Sequence, residues 1–261
     1  MHTIATTERR EKEVVRAGGI GKRYDYIGSP GMIDANPQAF LVERLYPQAR
    51  IDPHFHDIDQ FQVVVDGFCR MGKKHARPVT YQYADAYTPY GPIVGEDDGF
   101  AFFTLRPIAS GGFFAMPGNK HNMPGRAGRN LAGQFDLSQP GPGPGEVVRQ
   151  ALMAPQEDGA TALGLRLGPQ AKCSGPTSDG GGQYYLVCAG EVHVNDKALP
   201  FRSLIHVLPG EAAPDLRTGS EGADVLMLQF ARPTGRPGSD PKKLVSRDPN
   251  AYMTTPPGSG R

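Results

Sequence analysis

The feature that most constrains this chain is a pattern that occurs twice. Gln60-Phe61-Gln62-Val63-Val64-Val65-Asp66-Gly67 has the same layout as Gln183-Tyr184-Tyr185-Leu186-Val187-Cys188-Ala189-Gly190. In each, a glutamine opens a short β-branched or aromatic run and a glycine closes it seven positions later. Such runs, bounded by turn residues, read as buried strands. Downstream, Leu208-Pro209-Gly210 falls where Pro89-Tyr90-Gly91 does, and Val225 to Phe230 falls where Phe100 to Leu105 does. Self-similarity of this kind predicts two copies of one unit. The 34 glycines and 25 prolines of the 261 residues suit many short strands joined by turns.

Further strands are predicted over 40–46, 51–56, 79–83 and 100–105. Regular spacing of this sort indicates an all-β sandwich or barrel. Residues 1–34 read as an N-terminal arm, in which 7–17 form either a short charged helix or a frayed segment. Residues 35–137 form the first unit. The Pro/Gly joint at 138–146 is the best boundary in the chain. The second unit covers 147–231, and 232–261 is a tail rich in Pro, Gly, Ser and charge. The long stretch 109–130, which carries His121, Arg126 and Arg129, reads as a functional loop.

Chemistry concentrates in front of the first repeat. His54 and His56 lie two residues apart, so on an extended strand their imidazoles share a face. Paired neutral imidazoles are a common start for a transition-metal site. Gln60 follows, with an amide oxygen that makes a weak third ligand. His75 is the choice for a fourth, against the alternative of a surface histidine in the basic run Lys73-Lys74-His75-Ala76-Arg77. Tyr90 and His121 are candidate catalytic groups. Asp57 and Asp59 are expected to face solvent. The second copy places Thr177 and Asp179 where the first has His54 and His56, so it is expected to be structural. His193 and His206 then read as satisfied core or edge histidines.

The stretch from His54 to Gly67 resembles the first motif of the cupins. That motif runs His-x-His, three or four residues, Glu, six residues, Gly. Here Gln60 stands at the glutamate position. The second cupin motif has its nearest counterpart in Thr88 to Gly95, which holds no histidine. The resemblance implies two jelly-roll-like antiparallel β-barrels in one chain, a bicupin, with a divalent transition metal (Fe, Mn, Ni or Zn) in the mouth of the first. A metal bound only by His and Gln keeps its full charge and favours a carboxylate, enolate or phenolate. The expected function is therefore a metal-dependent enzyme acting on a small organic substrate, with the metal as Lewis acid in a lyase, isomerase or hydrolase reaction. A cupin dioxygenase with mostly histidine-ligated iron, or a non-catalytic binding cupin, are the alternatives.

Lys+Arg at 28 against Asp+Glu at 27 leaves no electrostatic case for nucleic acid. No stretch has the length of a membrane span, so no membrane partner is expected. The expected partners are a small-molecule substrate and a second copy in a homo-oligomer. Cys69, Cys173 and Cys188 are sparse and odd in number, which suggests reduced thiols in the cytoplasm.

Overall fold

The structure is a computed structural model that describes residues 1–16, 19–30, 36–123 and 128–235. Strands dominate. The only helical segments among the described residues are the 3-10 turns Thr6–Glu8 and Lys120–Asn122. In chain order the strands are β1 (His2–Ile4), β2 (Arg10–Arg16), β3 (Gly19–Ile27), β4 (Gln38–Arg44), β5 (Arg50–Ile51), β6 (His54–Phe55) and β7 (Gln60–Met71). Then come β8 (Lys74–Ala76), β9 (Thr80–Ala84), β10 (Ile93–Arg106), β11 (Phe114–Ala115) and β12 (Asn130–Gln134). The rest are β13 (Val147–Met153), β14 (Thr161–Leu167), β15 (Lys172–Ser174), β16 (Gln183–Val194), β17 (Lys197–Pro200), β18 (Leu204–Val207) and β19 (Asp215–Gln229).

Two compact units form, one on Glu11–Ala132 and one on Met1–Arg10 with Gly133–Arg232. The first is a nine-stranded sheet in the order β12-β9-β7-β10-β4-β3-β2, with β5 on β10 and β8 on β7. The second is an eight-stranded sheet in the order β1-β18-β16-β19-β14-β13, with β15 on β19 and β17 on β16. All the pairings with a resolved register are antiparallel. Both faces of β7 are buried: Gln60, Gln62 and Val64 on one, Phe61, Val63 and Val65 on the other. That is why this strand reads in sequence as a nearly continuous apolar run.

The two units share a skeleton in register. β7 and β16 each have 12 residues, opening on Gln60 and Gln183. β10 ends at Arg106 and β19 at Gln229, and the same interval separates Gly67 from Gly190 and Gly99 from Gly222. This register puts Ala223–Leu228 opposite Phe100–Leu105, two residues from the alignment expected from sequence. The glycines explain why the pattern recurs. Gly67 and Gly99 have φ +64 and +72, and Gly190 and Gly222 have +68 and +73. A Cβ on Gly67 would overlap the Gly99 carbonyl, and one on Gly190 would overlap that of Gly222. Each pair lets two long strands bend past each other.

The N-terminal segment differs from the expectation. Residues 7–16 are not helical but a 3-10 turn followed by β2, and 19–27, expected as part of the N-terminal arm, are β3. β2 ends its sheet, and its alternating Arg10, Glu11, Lys12 and Glu13 suit a charged edge strand. Lys22 on β3 pairs with Glu11 across it at 2.8 Å. β1 joins the second unit, with His2 opposite His206. The 138–146 joint is strand-free, and the boundary between units precedes it, between Ala132 and Gly133. Residues 236–261 of the tail, and Arg126, lie outside the described residues.

Gly99→Ala and Gly222→Ala are each expected to cost about 2 kcal/mol or more, through left-handed φ and backbone overlap. Gly118→Ala, with no atom within 4 Å of its Cβ, is the control. Urea denaturation of the three variants measures this. Equal midpoints would show that the glycine pairs do not set the bend.

A buried histidine, glutamine and arginine cluster

β6 is only two residues long, but it is held on both sides. His54 N donates to Tyr90 O at 3.1 Å and Tyr90 N to His54 O at 3.0 Å. On its other edge β11 pairs Ala115 with His54 and Phe114 with Phe55. His54 and His56 are buried, with ring centroids 5.2 Å apart. The Nδ1 of His54 lies 2.7 Å from Asp52 O, and that of His56 lies 2.5 Å from Gly112 O. A carbonyl only accepts, so each Nδ1 carries the proton and each Nε2 keeps its lone pair.

Arg106, at the end of β10, sets the charge beside the pair. The residue is 2% exposed. Nη2 lies 3.2 Å from His56 Nε2 and 3.3 Å from its Nδ1, Nη1 donates to Gln38 Oε1 at 2.9 Å, and Nε donates to Gln60 Oε1 at 3.3 Å. Gln60 in turn donates through Nε2 to the Tyr90 hydroxyl. The amide is thus oriented: oxygen toward the arginine, nitrogen toward the tyrosine. Burial, with the Arg106 charge as a further cause, pushes the His54 imidazole down to about 4. Burial and then Arg106 also hold His56 well below its ordinary value.

The loop after β10 folds over the pair. Phe113 stacks on His54 with centroids 4.0 Å apart and planes 22° from parallel. Asp57 ties the loop down, accepting from Ser110 Oγ at 2.7 Å and from Gly111 N at 2.9 Å. Asp59 accepts from Tyr83 OH and Ala86 N, both at 2.8 Å. Both aspartates were expected at the surface, but both are buried because they satisfy donors of the loops that bracket the histidines.

The structure brings His54, His56, Gln60 and Tyr90 together and leaves two candidates out. His75 lies on β8 with its side chain 79% exposed, 3.5 Å from Glu96. It pairs across from Arg70 on a hairpin, which aims it at solvent. His121 is exposed on the second 3-10 turn. Neither joins the cluster. In the second unit His193 pairs with Glu191 at 3.2 Å. His206 is buried against Tyr184, and its Nδ1 has no hydrogen-bond partner, so it is not the satisfied histidine expected. Sequence reading missed Arg106, Gln38 and Asp57. The available signal was a charged residue closing the apolar run Phe100–Leu105.

These residues do not fit the expected ligand set. Among the described residues no group of three or more His, Cys, Asp or Glu could hold a metal ion. The Arg106 charge lies within 3.3 Å of both ring nitrogens of His56, one of which would bind a metal, and Gln60 turns its oxygen to the same cation.

The fold is that of the cupins, in two copies. No protein-family model matches the sequence, and no curated protein matches it. Solved structures do. A candidate dioxygenase from Nostoc punctiforme has a TM-score of 0.63 at 12% identity, over 88% of this chain and 82% of that one. A bacterial pirin from Escherichia coli, in complex with nickel(II), has 0.56 at 11%, over 88% and 99%. Quercetin 2,3-dioxygenase from Acinetobacter baumannii has 0.51 at 14%, over 85% and 77%. Among the described residues no helix is long and apolar enough to cross a membrane.

His54 and His206 are both pushed down to about 4, chiefly by burial. Below about 6.5 the unfolded chain takes up these protons and the native state does not. Their contribution to stability is whole above pH 6.5 and is lost as pH falls toward 4, by roughly 3 kcal/mol per histidine. Imidazole NMR signals of both are expected to titrate near 4. A midpoint near 6.5 for either would mean that water reaches the ring.

Proposed function

We propose that the N-terminal barrel takes a small organic anion (a carboxylate, enolate or phenolate) and that Arg106, not a metal ion, supplies the positive charge there. The observation that carries this is the buried Arg106 guanidinium, whose Nη2 lies 3.2 Å and 3.3 Å from the two ring nitrogens of His56. A divalent cation about 4 Å from a guanidinium is repelled by roughly 8 kcal/mol at an effective dielectric of 20. Two histidines and an amide do not offset that.

The same groups suit proton transfer. His54 is neutral at pH 7, and among the described residues its Nε2 has no hydrogen-bond partner. It is the candidate general base. Arg106 and the Tyr90 hydroxyl, which Gln60 holds beside the pair, are placed to stabilise the oxyanion that forms when a proton leaves the carbon next to a carbonyl. This supports an isomerase- or lyase-type reaction. Asp57 and Phe113 hold the loop that keeps water from the pair.

A second reading keeps a resident metal on His54 and His56. Its support is the carbonyl behind each Nδ1, the arrangement that orients metal-binding imidazoles. The neighbours described as a nickel(II)-bound pirin and as dioxygenases share only the fold with this chain. Under this reading oxygenase chemistry stays open.

Metal analysis with calorimetry separates the two. The purified protein is expected to hold well below one metal per chain and to bind small carboxylates. Arg106→Gln is expected to lose at least about tenfold in anion affinity, or 1.4 kcal/mol. Stoichiometric metal lost with His54→Ala would establish the second reading instead. Anion binding with no turnover of any carbonyl acid would leave a binding protein.

A further inference from the structure

Behind the cluster, on the same barrel face, the two units diverge. Gln62 lies two residues beyond Gln60 on β7, opposite Gln82 on β9 and Thr104 on β10. The equivalent positions of the second unit are Tyr185, opposite Ile205 on β18 and Met227 on β19. There, the three large side chains are 2% exposed or less and form part of the apolar core. The Tyr185 hydroxyl closes the level by donating to Gln183 Oε1 at 2.7 Å. Gln183 Nε2 donates to Gln229 Oε1 at 2.8 Å, and Gln229 Nε2 to Gly159 O and Asp179 Oδ1. At this level the second unit is apolar apart from these glutamines and the tyrosine hydroxyl, which are hydrogen-bonded.

In the first unit the polar atoms at this level are not all paired. Two glutamines and a threonine replace tyrosine, isoleucine and methionine, so polar groups stand where bulk and apolar surface would complete a core. Gln62 and Gln82 are 4% and 7% exposed, yet Gln62 Oε1 and Gln82 Nε2 have no hydrogen-bond partner. Buried side-chain amides in a structural core are paired. These two orphans are opposite in kind, one an acceptor and one a donor. Their Cβ atoms, on directly opposed residues, are about 5 Å apart. A single hydroxyl group satisfies both, donating to Gln62 Oε1 and accepting from Gln82 Nε2.

We propose that Gln62 and Gln82 form a hydroxyl-recognition subsite, so that the preferred ligand is an organic anion with a hydroxyl group at its far end. This rests on the anion reading above and adds the second point of attachment. One two-residue step along a strand is roughly 7 Å, which sets the separation between the anionic group at Arg106 and the hydroxyl. A ligand of that length spans the face from Arg106 to Gln62. A monofunctional acid leaves the orphan pair unsatisfied.

The test is calorimetry with two matched pairs: cyclohexanecarboxylate against trans-4-hydroxycyclohexanecarboxylate, and butanoate against 4-hydroxybutanoate. Wild type is expected to prefer at least one hydroxy acid over its parent by roughly tenfold or more. Gln62→Leu and Gln82→Leu are each expected to bring that ratio close to one while leaving the parent acid's affinity unchanged. The unchanged affinity also shows that the variant is folded, and Gln62→Met replaces a variant that is not. Arg106→Gln is expected to weaken both members of a pair together. Parent acids that bind wild type as tightly as the hydroxy acids would overturn the subsite and leave the anion site standing, with a buried water as the natural occupant of the two amides. A preference that survives both leucine variants would likewise overturn it. If no acid of either pair binds wild type, the anion reading fails and the subsite fails with it.

Discussion

The interaction on which the first barrel depends is the seating of the Arg106 guanidinium between Gln38, Gln60 and His56. All three side chains are uncharged and buried, and the two glutamines present an acceptor oxygen to it. A guanidinium has five donors in a fixed plane, so each acceptor is oriented by its contact. Gln60 can give its oxygen to Arg106 only by turning its nitrogen to Tyr90. His56 carries its proton on Nδ1, toward Gly112 O, and the guanidinium lies beside both ring nitrogens. One cation thus orients the Gln60 amide, while Gly112 O sets the neighbouring imidazole's tautomer and ties it to the loop that covers the site.

The same skeleton without that cation is seen in the second unit. There Gln229 stands at the Arg106 position, and Gln183 meets it amide to amide at 2.8 Å. The long strands, the glycine pairs and the opening glutamine are common to both copies. The skeleton is therefore set by backbone requirements, and the chemistry is set by a few inward positions. His54, His56, Gln62, Gln82 and Arg106 are replaced by Thr177, Asp179, Tyr185, Ile205 and Gln229. Every replacement removes a imidazole, an orphan amide or a charge, and the core of that barrel closes.

What sequence reveals here follows from the range of each force. Strands over β7, β10 and β16 are legible because alternation and β-branched runs are local. The shared face of His54 and His56 is legible because it needs only the two-residue period of a strand. Arg106 was not, because its partners lie 46, 50 and 68 residues away and only antiparallel pairing brings them together. His75 misled because nearness in sequence was taken for nearness in space, while the β8 hairpin turns it outward. Asp57 and Asp59 misled because a charge in a turn is usually solvated. The turns here carry buried backbone donors instead, and those need carboxylates. The charged segment before Gly18 lacked an apolar stripe of either period, so only its place at the sheet edge identifies it as a strand.

Gln60 and Arg106 are best understood as one exchange. A carboxylate at residue 60 suits a metal, because it cancels part of the ion's charge and donates strongly to it. Beside a guanidinium the same carboxylate would form a buried ion pair and cancel the positive charge beside the histidines. Glutamine keeps the geometry without that charge. It accepts from Arg106 through Oε1, holds Tyr90 through Nε2, and leaves the field of the arginine directed at whatever lies over the histidines. The departure from the cupin motif at Gln60 is thus the counterpart of an arginine 46 residues later. Each residue makes sense only with the other: arginine with glutamate would neutralise the site, and glutamine without arginine would leave two histidines with no charge to work beside.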